Sequence, residues 1–267
     1  MQENEREVVI RDTSELASPA TRRGFLRALG VGGSVVLLPS VFAACKESLG
    51  PNASSDVNTA FNAQQTVTID LSNDVGIFQF ATVLEQLEQA FYNQFVTSSQ
   101  FTMLFPNTID QEAINDIRND ENVHRIFIDT ALGSARLPQL SFNFGNAFSS
   151  RASFLTAARA FSNTGVAAYN GAGRRIQNVN NLLVAGKIVS VEGRHAATLQ
   201  DLSDADAGGA GETTGRRFAD LAFQASLGFR TDNTNALDNA NAPPQIAALA
   251  DPVVVQPLVL QNAPTTV

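Results

Sequence analysis

The sequence predicts an all-α protein, an antiparallel four-helix bundle with a long crossover between its second and third helices and an irregular C-terminal tail. Four stretches within residues 70–203 repeat apolar side chains at alternating three- and four-residue spacing, which is typical of packed helices. The segment Ser134 to Ser149, which contains Pro138 and Gly145, has the length of a crossover. Both histidines of the chain follow a glutamate by three residues, so each pair shares one helical face.

Composition limits the class of protein. The formal net charge is −8 and the isoelectric point is about 4.8, which argues against nucleic-acid binding because that needs clustered Lys and Arg. With 44 % hydrophobic residues the chain can build a core, and its 18 Phe must supply the aromatic packing since Trp is absent. The single Cys excludes an intrachain disulfide.

Residues 1–45 are interpreted as an export signal. Arg22 and Arg23 precede a modest apolar stretch, a pattern that resembles the twin-arginine signal of bacteria. The stretch is too short for a membrane span and ends in Phe42-Ala43-Ala44-Cys45, which is similar to a lipobox. We therefore expect an extracytoplasmic protein of the periplasm or cell envelope, anchored in the membrane by lipid on Cys45. The alternative is an ordinary cleavable signal that is removed together with Cys45.

The first predicted helix follows a polar tether over residues 46–69. It runs from about Ser72 or Asn73 to Thr97, because Ser, Asn and Asp at its start supply N-cap oxygens. Its apolar face is formed by Ile77, Phe80, Ala81, Leu84, Leu87, Phe91 and Phe95. Glu88 falls near the centre of that face and Glu85 near its edge, where a carboxylate is costly unless it is paired or binds metal. The alternative is that both reach the solvated flank.

The second predicted helix spans residues 110–132, with Gly133 as its C-cap, and carries Glu121 and His124 on its apolar seam. The third begins near Ser150 and carries Ser162 and Tyr169 on its seam.

The fourth predicted helix spans residues 179–202 and carries Glu192 and His195 on its seam. Residues 204–267 are interpreted as a linker, a short helix over 216–227 and a tail that is either packed over the bundle in extended form or loose.

The two Glu-x-x-His pairs are the candidate metal ligands. Each pair aims a carboxylate and an imidazole at one point, so two such helices facing each other make a site for two metal ions. Carboxylate and imidazole together suit iron, manganese or zinc.

Three short motifs, in order along the chain, resemble the bacterial secreted ferritin-like domain, a group that includes desiccation-related proteins. They are Leu84 to Tyr92, Gly165 to Ala172 and Glu192 to Ala197, and the resemblance covers about residues 67–203. It implies a ferritin-like bundle that binds iron or manganese through Glu85, Glu121, His124, Glu192 and His195. We expect the chain's two tyrosines, Tyr92 and Tyr169, close to those carboxylates, because a buried phenol needs a hydrogen-bond partner.

One position departs from the family pattern. The family places a glutamate on the third helix where this chain has Ser162, and no Asp or Glu occurs anywhere in residues 130–191. The resemblance implies that, in the family pattern, a glutamate at position 162 and the histidine at position 195 hold one metal, while Glu85 and His124 hold the other.

The resemblance further implies that Glu121 and Glu192 bridge the two metals. We therefore expect one well-held metal on the Glu85 side and weak or absent binding beside Ser162. Glu88 supplies a further charge there only if its side chain reaches the site.

Two functions remain open from the sequence. The first is an exported metal-binding protein that takes part in metal-dependent oxidation or in protection of the envelope from oxidants. The second is a non-catalytic structural or interaction protein of the cell envelope whose Glu and His residues form a metal-free buried network. Iron storage is disfavoured because a lipid anchor and long tails hinder a closed shell of subunits. The sequence does not indicate the oligomeric state.

Overall fold

The computed structural model describes residues 66–206 and 240–266. Its helices are α1 (Asp74–Val96), α2 (Gln100–Leu104), α3 (Thr108–Leu132), α4 (Arg151–Gly173), α5 (Val179–Asp206) and α6 (Pro243–Ala250), and its strands are β1 (Val67–Asp70) and β2 (Leu258–Gln261). The four long helices confirm the prediction of an all-α helical bundle. The predicted export signal with Arg22, Arg23 and Cys45, most of the predicted tether and the predicted short helix over 216–227 lie outside the described residues.

Local capping sets the start of three long helices. The Asn73 side chain accepts a hydrogen bond from the Gly76 amide at 3.2 Å, and Asn107 and Ser150 do the same at the starts of α3 and α4. Each cap satisfies an amide that the helix itself leaves unpaired. Gly133 ends α3 with a φ of 55°, a conformation that favours glycine. The predicted boundaries therefore agree with the structure to within about two residues at these ends.

The hydrogen bonds between α1 and α3 show that these helices run antiparallel. Gln79, early in α1, donates to the carbonyl of Ala135 just beyond the end of α3, whereas Gln89, later in α1, donates to Asn122 in the middle of α3. Arg159 near the start of α4 likewise donates to Ser203 near the end of α5. The four long helices therefore form two antiparallel pairs, α1 with α3 and α4 with α5.

The crossover from α3 to α4 lies along α1. Gln86 is completely buried, donates to the Pro138 carbonyl at 3.0 Å and accepts from the Leu140 amide at 2.7 Å. A buried backbone amide or carbonyl is costly when it is left unpaired, so this side chain stabilises the crossover against the bundle.

The apolar core has two parts, one on each side of the bundle centre. The larger part is built on Phe91 and Phe95, whose rings stack on Phe154 with centroid distances of 5.1 and 3.9 Å. The smaller part packs Phe78, Ile128, Leu132, Tyr169, Ala185 and Ile188. Polar side chains in the space between the two parts are therefore shielded from water.

The C-terminal tail is more regular than the sequence predicts. Strand β2 pairs in parallel with β1, with Val67 opposite Leu258, so the last residues of the predicted tether belong to a sheet. Helix α6 also packs on α4. Sequence periodicity could not indicate this strand pairing, because its partners lie 191 residues apart and each strand has only four residues. Within the described ranges, no helix is both long and apolar enough to cross a membrane.

Candidate metal centre

The five side chains that the sequence predicts as metal ligands lie together in the bundle centre. Glu85 comes from α1, Glu121 and His124 from α3, and Glu192 and His195 from α5. None is more than 7 % exposed. The apolar seams of these helices face inward, so the residues placed on the seams must meet there.

On one side of the centre, four residues form a compact donor set. Ligand atoms of Glu85, Glu121, His124 and Glu192 all lie within 4.8 Å of one another. The Nδ1 atom of His124 is 3.0 Å from a Glu192 oxygen, 3.5 Å from a Glu85 oxygen and 3.6 Å from a Glu121 oxygen. Two ligands on opposite sides of a divalent ion are about 4.4 Å apart, given metal–ligand bonds of about 2.2 Å. A contraction of a few tenths of an ångström would therefore seat one ion.

The other side of the centre has fewer donors. The Nδ1 atom of His195 is 2.8 Å from one Glu121 oxygen and 3.6 Å from one Glu192 oxygen. In both glutamates the second oxygen is the one that approaches His124. Glu121 and Glu192 thus each offer one oxygen to either histidine, which is the arrangement of two bridging carboxylates.

The atoms that face the centre have no hydrogen-bond partner among the described residues. They number seven: Glu85 Oε2, both carboxylate oxygens of Glu121 and of Glu192, and Nδ1 of His124 and of His195. They approach one another at 2.8–3.6 Å as carboxylate–imidazole ion pairs. Buried polar atoms without partners are rare because they are costly, and a divalent cation bound to hard oxygen and imidazole donors would satisfy all of them. The residues therefore fit a metal.

Without a metal, protons balance the charge of the centre. Burial raises the pKa of Glu85 to about 8. Burial alone would lower the pKa of both histidines, but pairing with the glutamates outweighs it: the pKa of His124 is raised, and that of His195 is raised to about 10. Burial opposes ionisation of Glu192, yet its contacts with both histidines lower its pKa. At neutral pH the metal-free centre therefore carries imidazolium groups and a neutral Glu85.

The tyrosines differ in their contacts. The hydroxyl of Tyr169 donates a hydrogen bond to Glu85 Oε1, and burial together with the Glu85 charge raises the pKa of this phenol. Tyr169 thus remains a neutral donor that turns the other Glu85 oxygen towards the centre. Tyr92 is completely buried, and its hydroxyl has no hydrogen-bond partner within the described part of the chain. Burial and the nearby charges of Glu88 and Glu121 raise the pKa of the Tyr92 phenol. Both phenols therefore lie near the carboxylates, but only Tyr169 hydrogen-bonds to one.

Glu88 lies at the position where the sequence indicates a missing carboxylate. It is 3 % exposed and accepts a hydrogen bond of 3.1 Å from the Ser162 hydroxyl. No acidic residue lies near Ser162 along the chain, and the condition set for Glu88, that its side chain reach the site, is met: it reaches Ser162 from α1, 74 residues away. The solvated alternative for Glu85 and Glu88 is also wrong, since both side chains are buried.

Sequence reasoning missed Asp120. This half-exposed carboxylate lies 3.1 Å from Nε2 of His195, the ring nitrogen that faces away from the centre. A carboxylate at that nitrogen holds the ring in orientation and fixes which nitrogen remains free for a metal. The contact joins α3 to α5, so no spacing within either helix could have indicated it.

Comparison with known proteins agrees with this geometry. A family model described as a ferritin-like domain matches residues 73–205, the part of the chain that contains the four long helices. No curated protein matches the chain.

Proposed function

We propose that this chain, whose residues 73–205 match a ferritin-like domain model, is a metal-binding protein whose bundle centre holds iron or manganese. The observation that carries the proposal is the set of seven buried donor atoms that make no hydrogen bond within the described residues and surround one space. Three carboxylates and one imidazole within 4.8 Å of one another form the better-defined position.

The chain's own residues hold and shield the metal. Glu121 and Glu192 reach both histidines, Tyr169 directs Glu85, and Asp120 orients His195. Apolar clusters on both sides of the centre exclude water. A bound iron or manganese ion would supply electrons to an oxidant, which is the chemistry expected of a protective protein.

We expect Mn²⁺ binding to displace protons and to tighten as the pH rises from 6 to 8. Both histidine pKa values are raised, and that of Glu85 is about 8, so these groups are protonated in the metal-free protein and must lose protons to bind. Affinity should rise by about tenfold per pH unit for each proton displaced. Titration calorimetry in two buffers of different ionisation enthalpy, with protein purified without chelator or affinity tag, measures the proton count.

The competing function predicts a different result. A structural network that binds no metal leaves the titration without heat of binding at every pH and leaves thermal stability unchanged by Mn²⁺. That outcome would remove the metal-binding proposal and favour a non-catalytic protein of the cell envelope.

We propose further that the protein acts outside the cytoplasm, in protection of the cell envelope against oxidative stress. Support for export comes from Arg22 and Arg23 ahead of the apolar stretch and from the lipobox-like residues before Cys45. Replacing Arg22 and Arg23 together by Lys should leave the protein in the cytoplasm at its full mass. The unchanged chain should be recovered from membranes with a mass that begins at lipid-modified Cys45. A mature start well beyond Cys45 would contradict the lipid anchor but not export.

A further inference from the structure

Glu85 and Glu88 are held in the same way. They stand three residues apart on one face of α1, and each gives one carboxylate oxygen to a hydroxyl group of α4. Glu85 accepts from Tyr169 and Glu88 accepts from Ser162, which lies seven residues earlier on the same face of α4. Because α1 and α4 run antiparallel, the two hydrogen bonds between a glutamate and a hydroxyl group follow one another along the bundle axis. They are three residues apart on α1 and seven residues apart on α4.

The second oxygen of Glu88 points to the side of His195. A methyl group placed on Gly165 of α4 would lie 3.1 Å from Glu88 Oε1 and 3.4 Å from Glu192 Oε2. The two oxygens therefore face the same small space beside Gly165. Glu192 Oε2 is also the oxygen that approaches His195, so Glu88 lies next to the half of the centre that has fewer donors.

Small residues on α4 make this position possible. A glutamate at position 162 would occupy the space that Glu88 now uses, and a side chain at position 165 would press on both carboxylates. Ser162 supplies room and a hydrogen-bond donor at once. Helix α4 lacks an acidic residue where Glu88 of α1 fills the space. The small residue on α4 and the inward carboxylate on α1 therefore complement each other.

The charge balance also favours Glu88 as a metal ligand. Glu85, Glu121 and Glu192 together bring three negative charges, which leaves two divalent ions with an excess positive charge in a low-dielectric core. A fourth buried carboxylate makes the sum zero.

We propose that Glu88 replaces the carboxylate missing from α4 and completes a second metal position with Glu121, Glu192 and His195. Ser162 acts as its positioning residue. This inference rests on the proposed metal-binding function and revises the expectation of a single well-held ion, because it restores two comparable positions from a different helix.

The test is the metal content of the full chain loaded with Mn²⁺ and freed of excess metal. We expect two ions per wild-type chain and one per Glu88→Gln chain, with the electron paramagnetic resonance spectrum changing from coupled to isolated Mn²⁺. Ser162→Glu should not raise the ratio, whereas combining it with Glu88→Ala, which frees the space that Glu88 occupies, should return the ratio towards two. Ser162→Ala should weaken only the second ion, by about 10- to 100-fold, as for other residues that orient a ligand.

Each result that contradicts these expectations leads to a different conclusion. One ion per wild-type chain that rises to two in Ser162→Glu would mean that position 162 is a lost ligand and that Glu88 does not replace it. Two ions in Glu88→Gln would also overturn the inference. Binding of no metal by any variant would instead defeat the proposed function itself. Circular dichroism of Glu88→Gln checks that the bundle remains folded.

Discussion

Glu121→Gln should abolish stable metal binding, because Glu121 is one of the two carboxylates that face both histidines. It is completely buried, with one oxygen 2.8 Å from His195 and the other 3.6 Å from His124. An amide keeps the shape of the side chain but provides only one oxygen, without negative charge. Loss of a residue that merely orients a ligand costs about 10- to 100-fold in affinity, so loss of this shared ligand should cost at least about 100-fold.

Thermal unfolding with and without Mn²⁺ measures this effect. Wild type should gain about 2.7 kcal/mol when free Mn²⁺ stands at 100 times the dissociation constant, and Glu121→Gln should gain almost nothing at the same concentration. Glu112→Gln is the matched control, since it makes the same chemical change at an exposed position of α3. If Glu121→Gln responded to Mn²⁺ as wild type does, the ion would not lie between the two Glu-x-x-His pairs.

Gly171→Ala should destabilise the protein by about 2–3 kcal/mol, the upper part of the range for overpacked positions. A methyl group at this position of α4 would lie 2.0 Å from the carbonyl oxygen of Asn241 and 2.9 Å from its carbonyl carbon. These are backbone atoms, and the Asn241 amide is itself hydrogen-bonded to the Ala167 carbonyl at 3.0 Å. The segment before α6 must therefore move away from α4 or α4 must bend.

Gly186→Ala is the control for this change. Gly186 lies in α5 with no atom within 4 Å of the added methyl group, so alanine should stabilise the protein by about 0.5–1 kcal/mol through its helix preference. Denaturant unfolding measures both variants, and limited proteolysis detects release of the C-terminal segment. Equal effects at the two positions would mean that Asn241 does not pack against α4.

The sequence alone determined the elements whose causes are local. Asn73, Ser150 and Gly133 mark helix ends because capping joins groups only three or four residues apart. The seams of apolar residues predicted which faces are buried. Since residues three apart share a helical face, the seam positions of Glu121 and His124 also predicted that the two side chains would point inwards together.

The tertiary structure alone decided the contacts that join distant parts of the chain. Neither the pairing of β1 with β2, nor Asp120 beside His195, nor Glu88 beside Ser162 leaves a periodic pattern in the sequence. Each depends on how two separate elements pack against each other. The sequence shows the missing carboxylate on α4 and offers Glu88 as a candidate substitute. Only the packing of α1 against α4 decides that Glu88 reaches Ser162, because spacing along one helix carries no information about the side chains that a neighbouring helix directs into the same space.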